Sequence, residues 1–168
     1  MDSEDPTAED VERATNLCVK WLAQRGRSRH ELHAALERKG FTEPVCERAL
    51  ARVAELGYLD DTRFARNQAE LLLGRGRHGP RAVEERLLAH GLSPEAVSDA
   101  VASVSGELGF DPERAARQVL AQRGFAERVL PPKERARAAR LLFSRGFSEE
   151  LIHRLLGDAT LEPSGPDD

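Results

Sequence analysis

Three stretches of this 168-residue chain repeat one another: LERKGFTEPVCERAL (36–50), LLAHGLSPEAVSDAV (87–101) and LFSRGFSEELIHRLL (142–156). Each closes an apolar helical run with glycine, adds one apolar residue and a Thr or Ser, and opens a new amphipathic run. Gly40, Gly91 and Gly146 lie 51 and 55 residues apart, which is the spacing of a structural repeat.

The physics of the repeated signature is local. Glycine enters the left-handed conformation that ends a helix at little steric cost. Phe41, Leu92 and Phe147 then precede the N-caps Thr42, Ser93 and Ser148, and are placed to pack on Cys46, Val97 and Ile152 as hydrophobic staples. Pro94 suits a first helical position. Ser28 with Glu31 reads as a capping box, and Phe110 precedes a cap at Asp111 with Pro112 next.

No segment alternates with the period of two that a strand needs. The expected helices are 9–25, 28–39 and 42–56; 60–74, 80–90 and 93–107; 111–128, 132–145 and 148–157. The expected fold class is all-α: three tandem three-helix repeats, 11–58, 59–109 and 110–157, forming an elongated, curved array. One repeat alone has a marginal core, so neighbours are expected to share surfaces.

The net charge of −4 hides an asymmetry. Residues 1–10 hold five acids and no base, and residues 158–168 hold four acids and no base. Both ends read as disordered acidic tails. Between them, 25 bases face 20 acids. No apolar run approaches the ~18 residues of a membrane span, and the first residues are acidic where a secretory leader is basic and then apolar. The expectation is a soluble, cytoplasmic monomer with no membrane contact. Cys18 and Cys46 fall on apolar helical stripes and read as small buried hydrophobes of a reduced compartment.

Basic residues are clustered. Residues 20–39 hold six bases and two acids, residues 63–83 five and one, and residues 114–145 nine and two. QRGRSR carries Arg25, Arg27 and Arg29; GRGRHGPR carries Arg75, Arg77, His78 and Arg81. Both lie between the first and second helix of a repeat. Guanidinium forks on glycine-containing loops suit an anionic partner, either nucleic acid or an acidic protein groove. Only eight residues are aromatic, and staples or core positions account for most. A stacking platform for single strands is therefore not expected. The helix after RKGFT opens EPVCER, which offers few groups to read base edges.

Catalytic signatures are lacking. His30 and His33 sit three apart without a second ligand pair nearby in sequence and read as solvated. No phosphate-loop, nucleophile-elbow or H-E-x-x-H pattern occurs. Neither catalytic residue, metal nor cofactor is expected.

KWLAQRGRSRHELHAALERKGF, ALARVAELGYLDDTRFARN, GRGRHGPRAVEERLLAHGL and ARLLFSRGFSEELIHRLL occur in that order. In order and spacing they resemble the RecX family of regulators of the RecA recombinase, over residues 13 to 157. The most specific pieces are Gly57, Tyr58, Leu59, Asp60 and Asp61 followed by Arg63 and Phe64, and Gly79-Pro80-Arg81 opening the next helix. The resemblance implies a non-enzymatic cytoplasmic protein of tandem three-helix repeats. It implies binding of RecA in the groove of the RecA–DNA filament, with suppression of ATP hydrolysis, strand exchange and recombination. Weak non-specific contact with DNA is the secondary expectation, and an independent basic helical DNA-binding protein is the alternative reading. Arg25, Arg27, Arg29, Arg75, Arg77 and Arg81 are the expected partner contacts, with Arg114, Arg117, Arg135, Arg137 and Arg140 as a second surface.

The motif GYLDDTRFA places two carboxylates side by side. Gly57 reads as a helix end, Leu59 as a staple for Phe64, Asp60 as the N-cap, and Asp61 as a first-turn anion. Helix initiation, not chemistry, is the expected role.

Overall fold

The computed structural model describes residues 7–125 and 129–157. Among them are nine helices and no strand: α1 (Ala8–Gln24), α2 (Arg29–Arg38), α3 (Glu43–Glu55), α4 (Asp61–Gly74), α5 (Pro80–Ala89), α6 (Pro94–Leu108), α7 (Pro112–Gln122), α8 (Pro132–Ser144) and α9 (Glu149–Leu156). The protein is all-α and a helical repeat array. No helix of the described residues is long and apolar enough to cross a membrane.

Local chemistry explains most boundaries. Ser93 and Ser148 accept the N–H groups of Ala96 and Leu151, each at 3.2 Å. Asp111 accepts those of Glu113 and Arg114 at 2.9 and 3.2 Å. Phe147 and Ile152 share one core, and Phe41 packs against the core that holds Cys46.

Four expectations need correction. Thr42 is the N-cap of α3, with extended backbone, but its side chain makes no cap bond. Ser28 accepts the Glu31 N–H at 3.2 Å, yet the Glu31 carboxylate turns to His90 and Arg25 rather than completing a capping box. Helix α7 ends at Gln122, not 128, because Gly124 (φ 81°) terminates it and the Phe125 N–H closes back on the Leu120 carbonyl at 2.9 Å. Residues 126–128 of that expected helix lie outside the described residues. Finally, α1 begins at Ala8, with Thr7 capping Asp10, so residues 8–10 are helical and Glu9 and Asp10 suit the positive end of the helix. The remaining tail segments, 1–6 and 158–168, also lie outside the described residues.

The chain packs as two compact units, one within residues 1–68 and 87–100, the other within 69–86 and 101–168. The core of the first joins Ala14 and Cys18 of α1, Leu32 and Leu36 of α2, and Cys46, Leu50 and Val53 of α3. Both cysteines are buried and free. Burial pushes the Cys18 thiol up to about 11, helped by neighbouring Cys46, so it behaves as an apolar filler. The core of the second unit joins Ala116, Val119 and Leu120 of α7, Ala139 and Leu142 of α8, Phe147, and Leu151 and Ile152 of α9.

Candidate partner-binding surface

The GYLDD motif fixes a junction within the first unit. Gly57 (φ 79°) ends α3, Leu59 and Phe64 are buried, and Tyr58 is half exposed. Asp60 accepts the Arg63 N–H at 3.0 Å, while the Arg63 guanidinium donates to the Gly57 carbonyl at 3.0 Å. Asp61 has a second client: its carboxylate accepts the Arg29 N–H at 2.8 Å and so caps α2 from outside. Ser28 donates to the His90 carbonyl, and Glu31 meets the His90 imidazole. The Phe64 and His90 rings pack edge to face, 5.1 Å between centroids. The paired aspartates thus hold two helix starts.

The first arginine loop hangs from this junction. Arg25 pairs with Glu31 at 3.2 Å and Arg29 with Glu47 at 2.9 Å. Arg27 lies over the Trp21 ring at 5.9 Å, with its Nε buried and lacking a hydrogen-bond partner. His33, expected to be solvated, hydrogen-bonds Glu43 at 2.9 Å, and His33, Glu43 and Glu47 converge within 4.8 Å. These ligand types come from different helices, which is why sequence spacing did not reveal them. With Arg29 on Glu47, the group is an exposed polar network that joins α2 to α3.

The second loop, in the other unit, is built differently. Gly79 is pressed onto the turn after α8, where a Cβ would stand 2.4 Å from the Gly146 carbonyl oxygen, so only glycine fits. Its N–H donates to the Arg145 carbonyl at 2.7 Å, and the Arg145 guanidinium donates to the Arg77 carbonyl at 3.2 Å. Arg75 and Arg77 are exposed and have no ion-pair partner among the described residues. Arg81 is committed: it pairs with Glu85 at 2.7 Å, donates to the Phe143 carbonyl and covers the Phe143 ring at 4.5 Å.

His78 occupies the centre of this loop with its Nδ1 buried and unpartnered. Burial first, then the charges of Arg86, Arg145, Arg77 and Arg75, hold its imidazole below the ordinary histidine value. Arg86 and Arg145 escaped the sequence reading. Arg86 sits in an acidic stretch, and Arg145 meets Arg77 across 68 positions of chain. No local pattern signals such a meeting.

Of the second surface, Arg117 pairs with Glu113 at 2.8 Å, Arg114 approaches Asp111 at 3.8 Å, and Arg135 donates to the Leu130 carbonyl at 3.4 Å. Arg137 and Arg140 are exposed on α8. Arg117 and Arg135 border an apolar groove of about 540 Å³ lined by Leu120, Phe125, Leu155 and Leu156.

Fold and surface together define a class: an all-helical repeat protein that presents arginine-rich loops. The family model described as RecX, first three-helix domain, matches residues 14–52, within α1 to α3. A regulatory protein RecX of Stenotrophomonas maltophilia (strain R551-3) is 34% identical over 144 residues, covering 86% of this chain and 83% of that protein. A regulatory protein RecX of Streptomyces coelicolor is 31% identical over 166 residues, covering 97% and 85%. The chain belongs to the RecX family of regulatory proteins. The crystal structure of RecX from Lactobacillus salivarius shares the fold with a TM-score of 0.73 at 16% identity, covering 93% of this chain and 100% of that one.

Proposed function

We propose that this chain is a non-enzymatic cytoplasmic regulator that binds the RecA–DNA filament and modulates, mainly by inhibition, its ATPase, strand exchange and recombination activity. The observation that carries the reading is similarity to RecX regulatory proteins over 86% of the chain. Physical support comes from the arginine loops. Guanidinium groups that lack an internal carboxylate are the ones left to meet an external anion. On that criterion Arg75 and Arg77 lead, while Arg25, Arg29 and Arg81 must exchange an existing partner to take part. Arg27 contributes from its stack on Trp21. In the second surface, Arg137 and Arg140 are exposed and have no ion-pair partner among the described residues. The contacting modules are the three repeats 11–58, 59–109 and 110–157, acting as one monomer.

The test is the DNA-dependent ATPase of RecA with and without this protein. Substoichiometric inhibition is expected, and Arg75→Glu with Arg77→Glu should weaken it by about thirtyfold, since two charge reversals at a contact each remove on the order of 1 kcal/mol. Absence of any effect by the unaltered protein rejects the reading.

A further inference from the structure

His33 and Glu37 lie one turn apart on α2, and Glu43 and Glu47 lie one turn apart on α3. Each helix thus presents a pair of metal-ligating side chains to the other. The His33 Nε2 stands 3.0 and 2.9 Å from the two Glu43 carboxylate oxygens. One ligand atom from each of His33, Glu43 and Glu47 falls within 4.8 Å of the others. On the other edge of the ring, Nδ1 faces the Glu37 carboxylate at 3.7 Å. All four side chains reach solvent, His33 with a quarter of its area and the glutamates with more than half. Arg29 supplies a guanidinium, 2.9 Å from Glu47. Three carboxylates against that one cation leave an excess of two negative charges before the imidazole is counted.

We propose that His33, Glu43 and Glu47 bind a divalent transition-metal ion, Zn²⁺ being the best fit, and that Glu37 orients the imidazole. A ring nitrogen beside carboxylates selects first-row ions of this kind, whereas Mg²⁺ and Ca²⁺ take oxygen ligands. The ion accepts the Nε2 lone pair and one oxygen from each of Glu43 and Glu47, and water fills the remaining position. The ring proton then sits on Nδ1, directed at Glu37. A carboxylate behind a metal-bound histidine is its usual outer partner, and it fixes both tautomer and ring orientation. That backing carboxylate, together with the mixed nitrogen and oxygen donors, separates this group from a mere gathering of acids. Because two helices supply the ligands, the ion ties α2 to α3. Arg29 is its competitor: it holds a Glu47 oxygen, so occupation of the site releases Arg29 from Glu47. The site goes beyond the function proposed above and does not depend on it.

The test titrates Zn²⁺ into the full chain by isothermal calorimetry, in a buffer that does not bind the metal. Binding of a single ion per chain is expected. His33→Gln and Glu43→Gln/Glu47→Gln should each weaken it by about tenfold or more, since losing even an outer partner of a metal ligand has an effect of that size. Arg29→Gln, which frees Glu47, should tighten binding. His153→Gln removes an exposed imidazole from α9 and should leave binding unchanged. Excess Mg²⁺ should not displace the ion. Zn²⁺ should also raise the melting temperature of the unaltered chain but not that of the double glutamine variant, because an ion held only by the folded protein stabilises it. Circular dichroism checks that each variant keeps its helices. No binding by the unaltered protein, equal affinity in His33→Gln, an equal loss in His153→Gln, or weaker binding by a folded Arg29→Gln would each overturn the site.

Discussion

Asp60 and Asp61 are adjacent, yet their carboxylates cap different helices. Asp60→Ala should cost about 0.5–2 kcal/mol in urea unfolding, as for an ordinary N-cap. Asp61→Ala should cost a similar amount through α2, whereas Asp61→Asn, which keeps an acceptor oxygen, should recover most of it. Equal behaviour of the alanine and asparagine variants at 61 would show that the bond to Arg29 contributes nothing. Two other groups set the response to acid. Although burial alone would raise it, hydrogen bonding and charge from His90 and Arg25 hold the Glu31 carboxyl below its ordinary value. Its contribution is complete above that value and is lost as pH falls through the folded one. His78 lies below its ordinary value as well, so the unfolded chain takes up the proton first and stability declines below about pH 6.5. Unfolding measured from pH 7 to 5 should therefore show a loss that His78→Gln diminishes, and an identical pH profile in that variant would remove the histidine from the account. The Asp60 cap was legible in the sequence because cap and client lie three positions apart. The Asp61 client was not, because it lies 32 positions away.

Helix ends show the same division between local and distant causes. The Gly-apolar-hydroxyl signature located the starts of α6 and α9 and the ends of α2, α5 and α8 within a residue or two. The helix expected to reach residue 128 failed because Gly124-Phe125 carries the Gly-Phe half of that signature without the following hydroxyl. Gly124 adopts φ 81°, and an added Cβ would meet nothing within 4 Å. Gly124→Ala should accordingly cost only the conformational penalty, about 1 kcal/mol. Gly79→Ala should cost distinctly more, since there the obstacle is backbone rather than dihedral preference. Denaturation midpoints of the two variants compare these causes directly, and a Gly79→Ala protein as stable as Gly124→Ala would contradict the packing described. The arginine loops were legible as clusters of charge. Which arginines are free was not, because Glu47 comes to Arg29 and Phe143 to Arg81 through tertiary folding alone.

For the molecule as a whole, repeat order and packing order differ. The sequence leads one to expect three trios, whereas the two compact units divide the expected middle trio between them, and α4 has residues in both. A fragment of residues 11–58 keeps the core of α1 to α3 but loses Asp61, His90 and Phe64 from its junction. It should melt at lower temperature and with less cooperativity than a fragment of residues 7–100, followed by circular dichroism. A fragment 11–58 that melts as sharply as the longer one would show that the first repeat is autonomous. The shared middle trio also bears on ancestry. A gene that gained or lost one trio by unequal exchange would not simply lengthen or shorten this molecule, because removing the middle helices takes material from both packed bodies at once. Deletion of the middle helices should therefore destabilise both units together, which makes that part of the chain the one whose loss a descendant gene should tolerate least.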